Sequence, residues 1–254
     1  LYLHQHKPKL RDKASAGKDA RFRSGHHVGR VAQNLFPGGL EIPYEELSHE
    51  QQIQMTSKAI EERAITLYEG AFSYDGVFVK ADILHRVRGG WELYEVKSTT
   101  KMKDVYYDDA AIQYYVLAGT GLKVKKVCIV YLNSKYVRRG EIDVQELFTI
   151  EDITDDTLGR QAEIRRELGN MRRMLRGAVP DVDIGKHCKD PNECDFIGTC
   201  WAHIPELSVF NLRERGTNSY DLYDAGIVRM EDIDLDVLSD KQRMQVESYL
   251  TRKD

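Results

Sequence analysis

The stretch from Ala71 to Ser98, AFSYDGVFVKADILHRVRGGWELYEVKS, decides the fold. It reads as three short strands joined by two turns. Tyr74-Asp75-Gly76 marks the first turn and Arg88-Gly89-Gly90 the second, with glycine where the backbone needs positive φ. Between the turns Val77, Val79, Ala81 and Ile83 alternate with Phe78, Lys80, Asp82 and Leu84. After the second turn Trp91, Leu93, Glu95 and Lys97 fall on one face, and Glu92, Tyr94, Val96 and Ser98 on the other.

The polar residues interrupt this pattern. Asp82 sits inside an apolar strand, and Glu95 and Lys97 break the face begun by Trp91 and Leu93. A two-residue loop at Gly89-Gly90 sets Asp82 opposite Lys97 and diagonal to Glu95. A loop at Arg88-Gly89 sets Asp82 opposite Glu95. The slip moves both flanking positions together, so both registers keep the faces matched. In either register two carboxylates and an ammonium converge. Buried charges are costly unless paired or bound to metal. One reading is therefore an internal salt bridge that staples the hairpin. The other is a site for a hard divalent cation, Mg2+ or Mn2+, held by carboxylate oxygens beside a lysine that orients or deprotonates water.

At 254 residues, 41% hydrophobic and 31% charged, the chain has the composition of a soluble globular protein with a substantial core. No apolar run is long enough to span a bilayer, and the start lacks a secretory pattern. A net charge of −4 gives no overall basic footprint, so any nucleic-acid contact must come from local patches. Leu1-Tyr2-Leu3-His4 begins without methionine in what reads as the end of a helix, which points to missing upstream residues.

Around the hairpin, residues 15–36 read as a helix with Val28, Val31, Ala32 and Leu35 as its apolar stripe. His27 is expected at the edge of that stripe and His26 on the solvent side. Arg21, Arg23 and Arg30 offer either a phosphate-facing surface or a solvated face. Ser48-x-x-Gln51 is a capping box for a packing helix through about Ala64. The polar loop Ser98–Lys103 leaves the hairpin with two lysines. Asp108 and Asp109 then start a helix, Ala110 to Ala118, that carries Gln113, Tyr114 and Tyr115. Lys123–Leu132 is a strand with Cys128 in the core, and Val137–Val144 reads as another. Thr154–Arg176 reads as one long helix with Ile164, Leu168, Met171 and Leu175 as its seam. Its Arg165, Arg166, Arg172, Arg173 and Arg176 form a DNA-facing ridge or solvated charge.

Cys188, Cys194 and Cys200 are each separated by five residues in a polar loop broken by Pro191 and Gly198. Thiolates placed close together repel unless a metal accepts them, so the loop reads as a metal site in a reducing, cytoplasmic compartment. Zinc would take His187 or His203 as a fourth ligand. An iron–sulfur cluster usually takes four thiolates. The remaining segment, 205–254, reads as a helical packing appendage.

An Asp, a glycine turn and Glu-x-Lys on the next strand, here Asp82 … Glu95-Val96-Lys97, resemble the signature of the PD-(D/E)XK nuclease superfamily. The order of His27, Asp82, Glu95-x-Lys97, Gln113 and three cysteines is similar to RecB-like nucleases. Among these it resembles the iron–sulfur AddB-type and CRISPR-associated RecB-like exonucleases, over residues 27–200. The usual Gln-x-x-x-Tyr motif is incomplete, because Leu117 stands four residues after Gln113. The upstream cysteine of those families is absent from this sequence.

The resemblance implies an α/β, restriction-endonuclease-like mixed sheet flanked by helices, with a C-terminal helical region carrying a cysteine metal cluster. It implies a nuclease core over residues 1–150, a helix and cysteine region over 151–204, and the appendage over 205–254. It implies an Mg2+- or Mn2+-dependent deoxyribonuclease, an exonuclease in DNA repair, recombination or defence. Asp82, Glu95, the Val96 carbonyl and His27 would hold the cation, and Lys97 and Gln113 would act beside them. Glu69, His26 and Tyr115 are secondary candidates. A 4Fe–4S cluster or Zn2+ would sit at Cys188, Cys194 and Cys200. The expected partners are DNA with a single-stranded segment, no membrane, and a further C-terminal domain or a helicase-like protein. The competing class is a nucleic-acid-binding or zinc-stapled interaction module without catalysis.

Overall fold

A computed structural model of the chain describes residues 1–13, 16–43, 45–213 and 215–251; the side chains of Ala16, Lys18, Asp19 and Arg21 are not described. The start of the expected helix at Ser15, the Arg21 side chain and residues 252–254 of the expected appendage fall outside the described residues. In chain order the helices are α1 (Tyr2–His6), α2 (Ala16–Ala32), α3 (His49–Glu61), α4 (Asp104–Gly119), α5 (Val144–Leu147), α6 (Thr154–Gly159), α7 (Gln161–Arg176), α8 (Ile197–Cys200), α9 (Ser219–Asp224) and α10 (Asp240–Leu250). The strands are β1 (Leu40–Glu41), β2 (Thr66–Tyr74), β3 (Val77–Val87), β4 (Gly90–Lys97), β5 (Val124–Leu132) and β6 (Phe148–Asp152). Two compact units result, one of Ser15–Arg173 and one of Leu1–Ala14 with Met174–Asp254.

The larger unit is built on a mixed sheet in the order β1-β2-β3-β4-β5-β6. β1 pairs parallel to β2, and β4 parallel to β5; the other neighbours are antiparallel. Alternation on β5 sends Val127 and Ile129 to one face and Cys128 and Val130 to the other. On the first face Leu84, Trp91 and Leu93 pack with Ala59 of α3 and with Ala110, Val116 and Leu117 of α4. On the second, Tyr68, Ile83 and Tyr94 pack with Ala32, Val28 and Val31 of α2. Ile164 and Leu168 of α7 cover Ala111 of α4. The unit is therefore an α/β fold with helices on both faces of a mixed sheet.

Local chemistry fixes the helices that flank the hairpin. Ser48 and Gln51 form the expected capping box on α3. At the other end of α3, Arg86 donates from Nε to Ala64 O and from Nη2 to Ile60 O, both at 2.9 Å, which satisfies terminal carbonyls. The same guanidinium lies 4.3 Å from the centre of the Trp91 ring.

The register of the hairpin is settled by pairs such as Val87↔Gly90, Leu84↔Leu93 and Ile83↔Tyr94. The loop is Arg88-Gly89, with Gly89 at φ 84°, and the register carried one step past Ile83↔Tyr94 sets Asp82 opposite Glu95. The simple alternation expected along β3 does not hold throughout. Ala81 and Leu84 share one face, while Ile83 lies on the other. β2 switches in step, with Leu67 and Phe72 on the first face and Tyr68 on the second. Glu69, opposite Asp82, adopts φ 56°. Both strands thus change face at one point without slipping register, and the change turns Asp82 out of the apolar series.

Three further expectations are corrected. α4 begins at Asp104, so Asp108 and Asp109 lie in its second turn instead of starting it. Val137–Val144 is not a strand: Val137 is 68% exposed, Gly140 turns at φ 87°, and Asp143 caps α5. β6 forms after that cap instead. The long helix is broken at Arg160, and Met171 of its expected seam is 42% exposed.

The smaller unit has its own core of Val209, Leu212, Leu222, Met230, Ile233, Leu238 and Val246. Buried Gln242 ties it together, donating to Arg213 O and Thr217 O, each at 2.9 Å, and accepting from Thr217 N at 2.8 Å. The N-terminal segment bonds to the cysteine loop. Asp12 N donates to Asp195 O at 2.8 Å, Gly198 N to Asp12 Oδ2 at 2.9 Å, and Thr199 Oγ1 to Leu10 O at 3.0 Å. No helix among the described residues is long and apolar enough to cross a membrane.

Gly90 opens β4 beside β5, where an added Cβ would stand 2.3 Å from Lys123 O. Gly90→Ala is therefore expected to destabilise the protein by about 1–3 kcal/mol through overpacking. Gly169, within α7, has open space around it. Gly169→Ala should stabilise by up to about 1 kcal/mol through helix propensity. Urea unfolding midpoints of the two variants check both signs.

Candidate active site at the carboxylate hairpin

The hairpin register brings Asp82 and Glu95 together, and β4 adds Lys97 two residues on. Asp82 Oδ2 accepts the Val96 N–H at 2.7 Å. Glu95 is only 6% exposed. Its Oε1 accepts from Lys97 Nζ at 2.7 Å and its Oε2 from Gln113 Nε2 at 2.5 Å. Lys97 Nζ also donates to Asp109 Oδ2 and lies 5.3 Å from the centre of the Tyr106 ring. Tyr106, Asp109 and Gln113 occupy successive turns on one side of α4, the i, i+3 and i+4 spacing of a shared helix face.

The electrostatics follow from this crowding. Burial pushes the Asp82 carboxyl well above the usual carboxylate range, and the charge of Glu95 adds to the rise. The Val96 N–H works the other way, and Glu69 contributes further repulsion. Burial also raises Glu95; Lys97 opposes this and Asp109 reinforces it. For Lys97, burial alone disfavours the ammonium, but the charges of Glu95 and Asp109 outweigh it and hold the amine protonated above the ordinary lysine range. Gln113 Oε1 is buried and has no hydrogen-bond partner. An acceptor left without a partner costs about 1–3 kcal/mol, so this oxygen favours a donor or a cation beside it.

Of the residues singled out from the sequence, Asp82, Glu95, Val96, Lys97 and Gln113 are brought together. Glu69 is close enough for its charge to act on Asp82, and it accepts from Lys80 Nζ at 2.7 Å. Tyr115 is engaged elsewhere, donating to Asp75 Oδ2 at 2.7 Å in the first hairpin turn. The expected burial of the two histidines is reversed. His26 is half-buried, its ring 5.0 Å from that of Phe22, whereas His27 is exposed. Among the described residues His27 makes no hydrogen bond, ion pair or ring contact. Asp109 was missed by sequence reasoning because it was placed at a helix start. Its position four residues before Gln113 was the signal that could have found it.

Of the five arginines of the basic ridge, Arg166 and Arg172 are paired with acids. Arg166 pairs with Glu163 and Glu167, each at 3.1 Å, and Arg172 pairs with Asp75 at 2.7 Å. Arg173 donates to Asn170 Oδ1 at 2.5 Å.

In the smaller unit Cys188 is buried, and Cys194 and Cys200 are exposed. Cys194 N donates to Cys188 O at 2.8 Å, folding the loop back. Burial raises the Cys200 thiol, and the neighbouring Cys194 and Cys188 add to the rise, so the three lie within electrostatic reach. His203 Nε2 is within 3.0 Å of Tyr223 Oη, which itself donates to Asp183. Cys128 is fully buried in the sheet and belongs to the other unit. Among the described residues, no three or more His, Cys, Asp or Glu side chains are grouped so as to hold a metal ion. As folded, the loop offers three thiols and no fourth, which does not fit a closed four-thiolate cluster. The hairpin likewise forms no such group of three, but its two mutually repelling carboxylates and the Gln113 amide oxygen are oxygen donors of the kind a hard cation takes.

The sequence matches no family model and no curated protein. Among solved structures, the chain is similar to an alkaline exonuclease (LHK-Exo) from Laribacter hongkongensis. The identity is 15%, covering 65% of this chain and 88% of that chain, with a TM-score of 0.24. It is similar also to SSO0001, at 16% identity, covering 73% of this chain and 82% of that chain, with a TM-score of 0.28. Scores this low bear on neither fold nor chemistry, and the fold is read from its own strand order and layers.

Raised carboxyls bind protons more tightly in the folded chain than in the unfolded one. The stability they contribute is present at low pH and is lost as pH climbs out of the ordinary carboxylate range. In chelator, Asp82→Asn should therefore stabilise the fold above pH 7, by about 0.5–2 kcal/mol, with the Asn amide oxygen still able to accept from Val96 N–H. That gain should shrink toward pH 4. Urea unfolding across this range measures it, and a gain independent of pH would exclude carboxylate repulsion as its source.

Proposed function

We propose that this chain is a cation-dependent deoxyribonuclease that hydrolyses phosphodiester bonds, of the restriction-endonuclease-like, RecB-related kind. The observation that carries the reading is the opposition of two raised carboxylates, Asp82 and Glu95, with the Lys97 ammonium bonded to one of them. The orphaned oxygen of Gln113 in the same cluster supports it.

In this reading Asp82, Glu95 and the Val96 carbonyl would hold Mg2+ or Mn2+, and His27 on α2, exposed and not grouped with them in this structure, would be a further ligand only by moving to them. The bound cation would polarise the scissile phosphate and lower the pKa of a water. Gln113 fixes the orientation of the Glu95 carboxylate through its 2.5 Å bond. Lys97 orients the attacking water and stabilises negative charge developing on the phosphate. Lys101 and Lys103, in and after the loop that leaves β4, are exposed and contact backbone phosphates flanking the cut. Exonucleolytic action on DNA with a single-stranded segment, and a role in repair, recombination or defence, complete the proposal.

A second reading is favoured by the pairing of Lys97 with both Glu95 and Asp109: the three charges would staple a module without catalysis. Cleavage assays on linear single- and double-stranded DNA separate the two. With Mg2+ or Mn2+ the wild type should cut, and excess EDTA should stop it. Glu95→Gln and Lys97→Ala should each reduce cleavage by about 10²–10³-fold or more, with circular dichroism unchanged. Equal activity in all three proteins would leave the staple as the remaining account.

The cysteine loop carries a separate proposal, a structural metal at Cys188, Cys194 and Cys200. It would be a 4Fe–4S cluster or zinc, with the fourth ligand supplied from beyond these three. Anaerobically purified protein should carry about one cluster or one zinc per chain, distinguished by visible absorption and elemental analysis. Cys194→Ser should release it. Stoichiometric absence of both metals from anaerobic preparations would remove this proposal.

A further inference from the structure

Lys97 is gripped from two elements at once. Glu95, on its own strand, accepts at 2.7 Å, and Asp109, on α4, accepts as well. The two acids differ in setting. The Glu95 side chain is 7% exposed, whereas that of Asp109 is 46% exposed. Both oxygens of Glu95 are already engaged, Oε1 by Lys97 and Oε2 by Gln113. A cation entering at Glu95 therefore meets an ammonium on the oxygen it needs, and like charges at that distance repel. Asp109 offers that ammonium a second carboxylate already within bonding distance.

We propose that Asp109 is a positioning residue that retains Lys97 when a divalent cation takes Glu95. Lys97 gives up its bond to Glu95 Oε1 and keeps the one to Asp109 Oδ2, so it stays beside the site without competing for the buried acid. No covalent bond changes, and the ammonium keeps its proton. This rests on the cation site of the nuclease reading and assigns that site its partner on α4. A simpler role for Asp109 would be as a third negative charge that attracts any cation, with no involvement of Lys97.

A double-mutant cycle on Mn2+ affinity, measured by titration calorimetry on the full chain, separates these roles. Asp109→Asn should weaken Mn2+ binding by about tenfold, because Lys97 then falls back on Glu95. Asp109→Glu should bind within about twofold of wild type, since it restores the carboxylate. Lys97→Met, which removes the competitor, should bind more tightly than wild type. Adding Asp109→Asn to Lys97→Met should change nothing further. Lys97→Gln serves as a second neutral background should Lys97→Met fail to fold. If Asp109→Asn weakens binding equally with and without Lys97, Asp109 acts through charge alone and the proposal is overturned. If wild type binds Mn2+ and Asp109→Asn binds equally well, the proposal again fails while the cation site stands. If wild type takes up no Mn2+, the cation reading fails along with it.

Discussion

Asp82 and Glu95 oppose each other across β3 and β4, partly shielded from water, and the groups around them respond to that repulsion. Val96 N–H points at Asp82, Lys97 folds back on Glu95, and α4 contributes Gln113 and Asp109. These contacts only partly offset the repulsion: both carboxyls remain raised, with burial as the first cause in each. A hairpin built for stability alone would place a neutral residue at one of the two positions. The packing of the sheet makes the arrangement durable, because Leu84 and Leu93 lie fully buried beside it and pin the register.

The helix on the first face of the sheet turns a pair of acids into a cluster. α4 packs on the strands through Ala110, Val116 and Leu117, all fully buried, with the small Ala110 allowing close approach. Close approach lets Gln113 reach the Glu95 carboxylate, while Asp109 meets the ammonium at the end of the Lys97 stem. The same helix carries Tyr106 over the ammonium. Lys97 is thus held by one acid below, one acid beside and an aromatic ring, each from a position fixed by backbone packing. Such support from rigid elements is what a site needs in order to hold its geometry within a fraction of an ångström.

Much of this was legible in the sequence, and the failures have physical causes. The three strands, the capping box at Ser48, the core placement of Cys128 and the stripe on α2 follow from periodicity and turn chemistry. The hairpin register was not decidable, because both loops preserved the apolar match and only the pairing of backbone groups distinguishes them. The face switch at Glu69 and Asp82 leaves no periodic trace, since both strands flip together and each resumes alternation beyond it. The start of α4 was misjudged by four residues because Lys103, its N-cap, makes no side-chain cap. That misplacement hid Asp109. The interruption at Arg160 was hidden too, because Gly159 and Arg160 sit in a charged, helix-favouring stretch.

The orphaned oxygen of Gln113 bears on what the cluster is for. A hydrogen bond to Glu95 Oε2 could equally come from a lysine ammonium or an arginine guanidinium, which would leave no stranded acceptor. Glutamine instead delivers one donor to the carboxylate and leaves a buried carbonyl, at a cost of about 1–3 kcal/mol while it has no partner among the described residues. Together with two raised acids, this makes the cluster locally unfavourable in three ways, and on these the proposed cation site rests. Sites that break the rules of burial in concert are where function is expected to reside. Scattered defects would need separate explanations, whereas these are joined: Gln113 bonds to Glu95, and the charge of Glu95 raises Asp82.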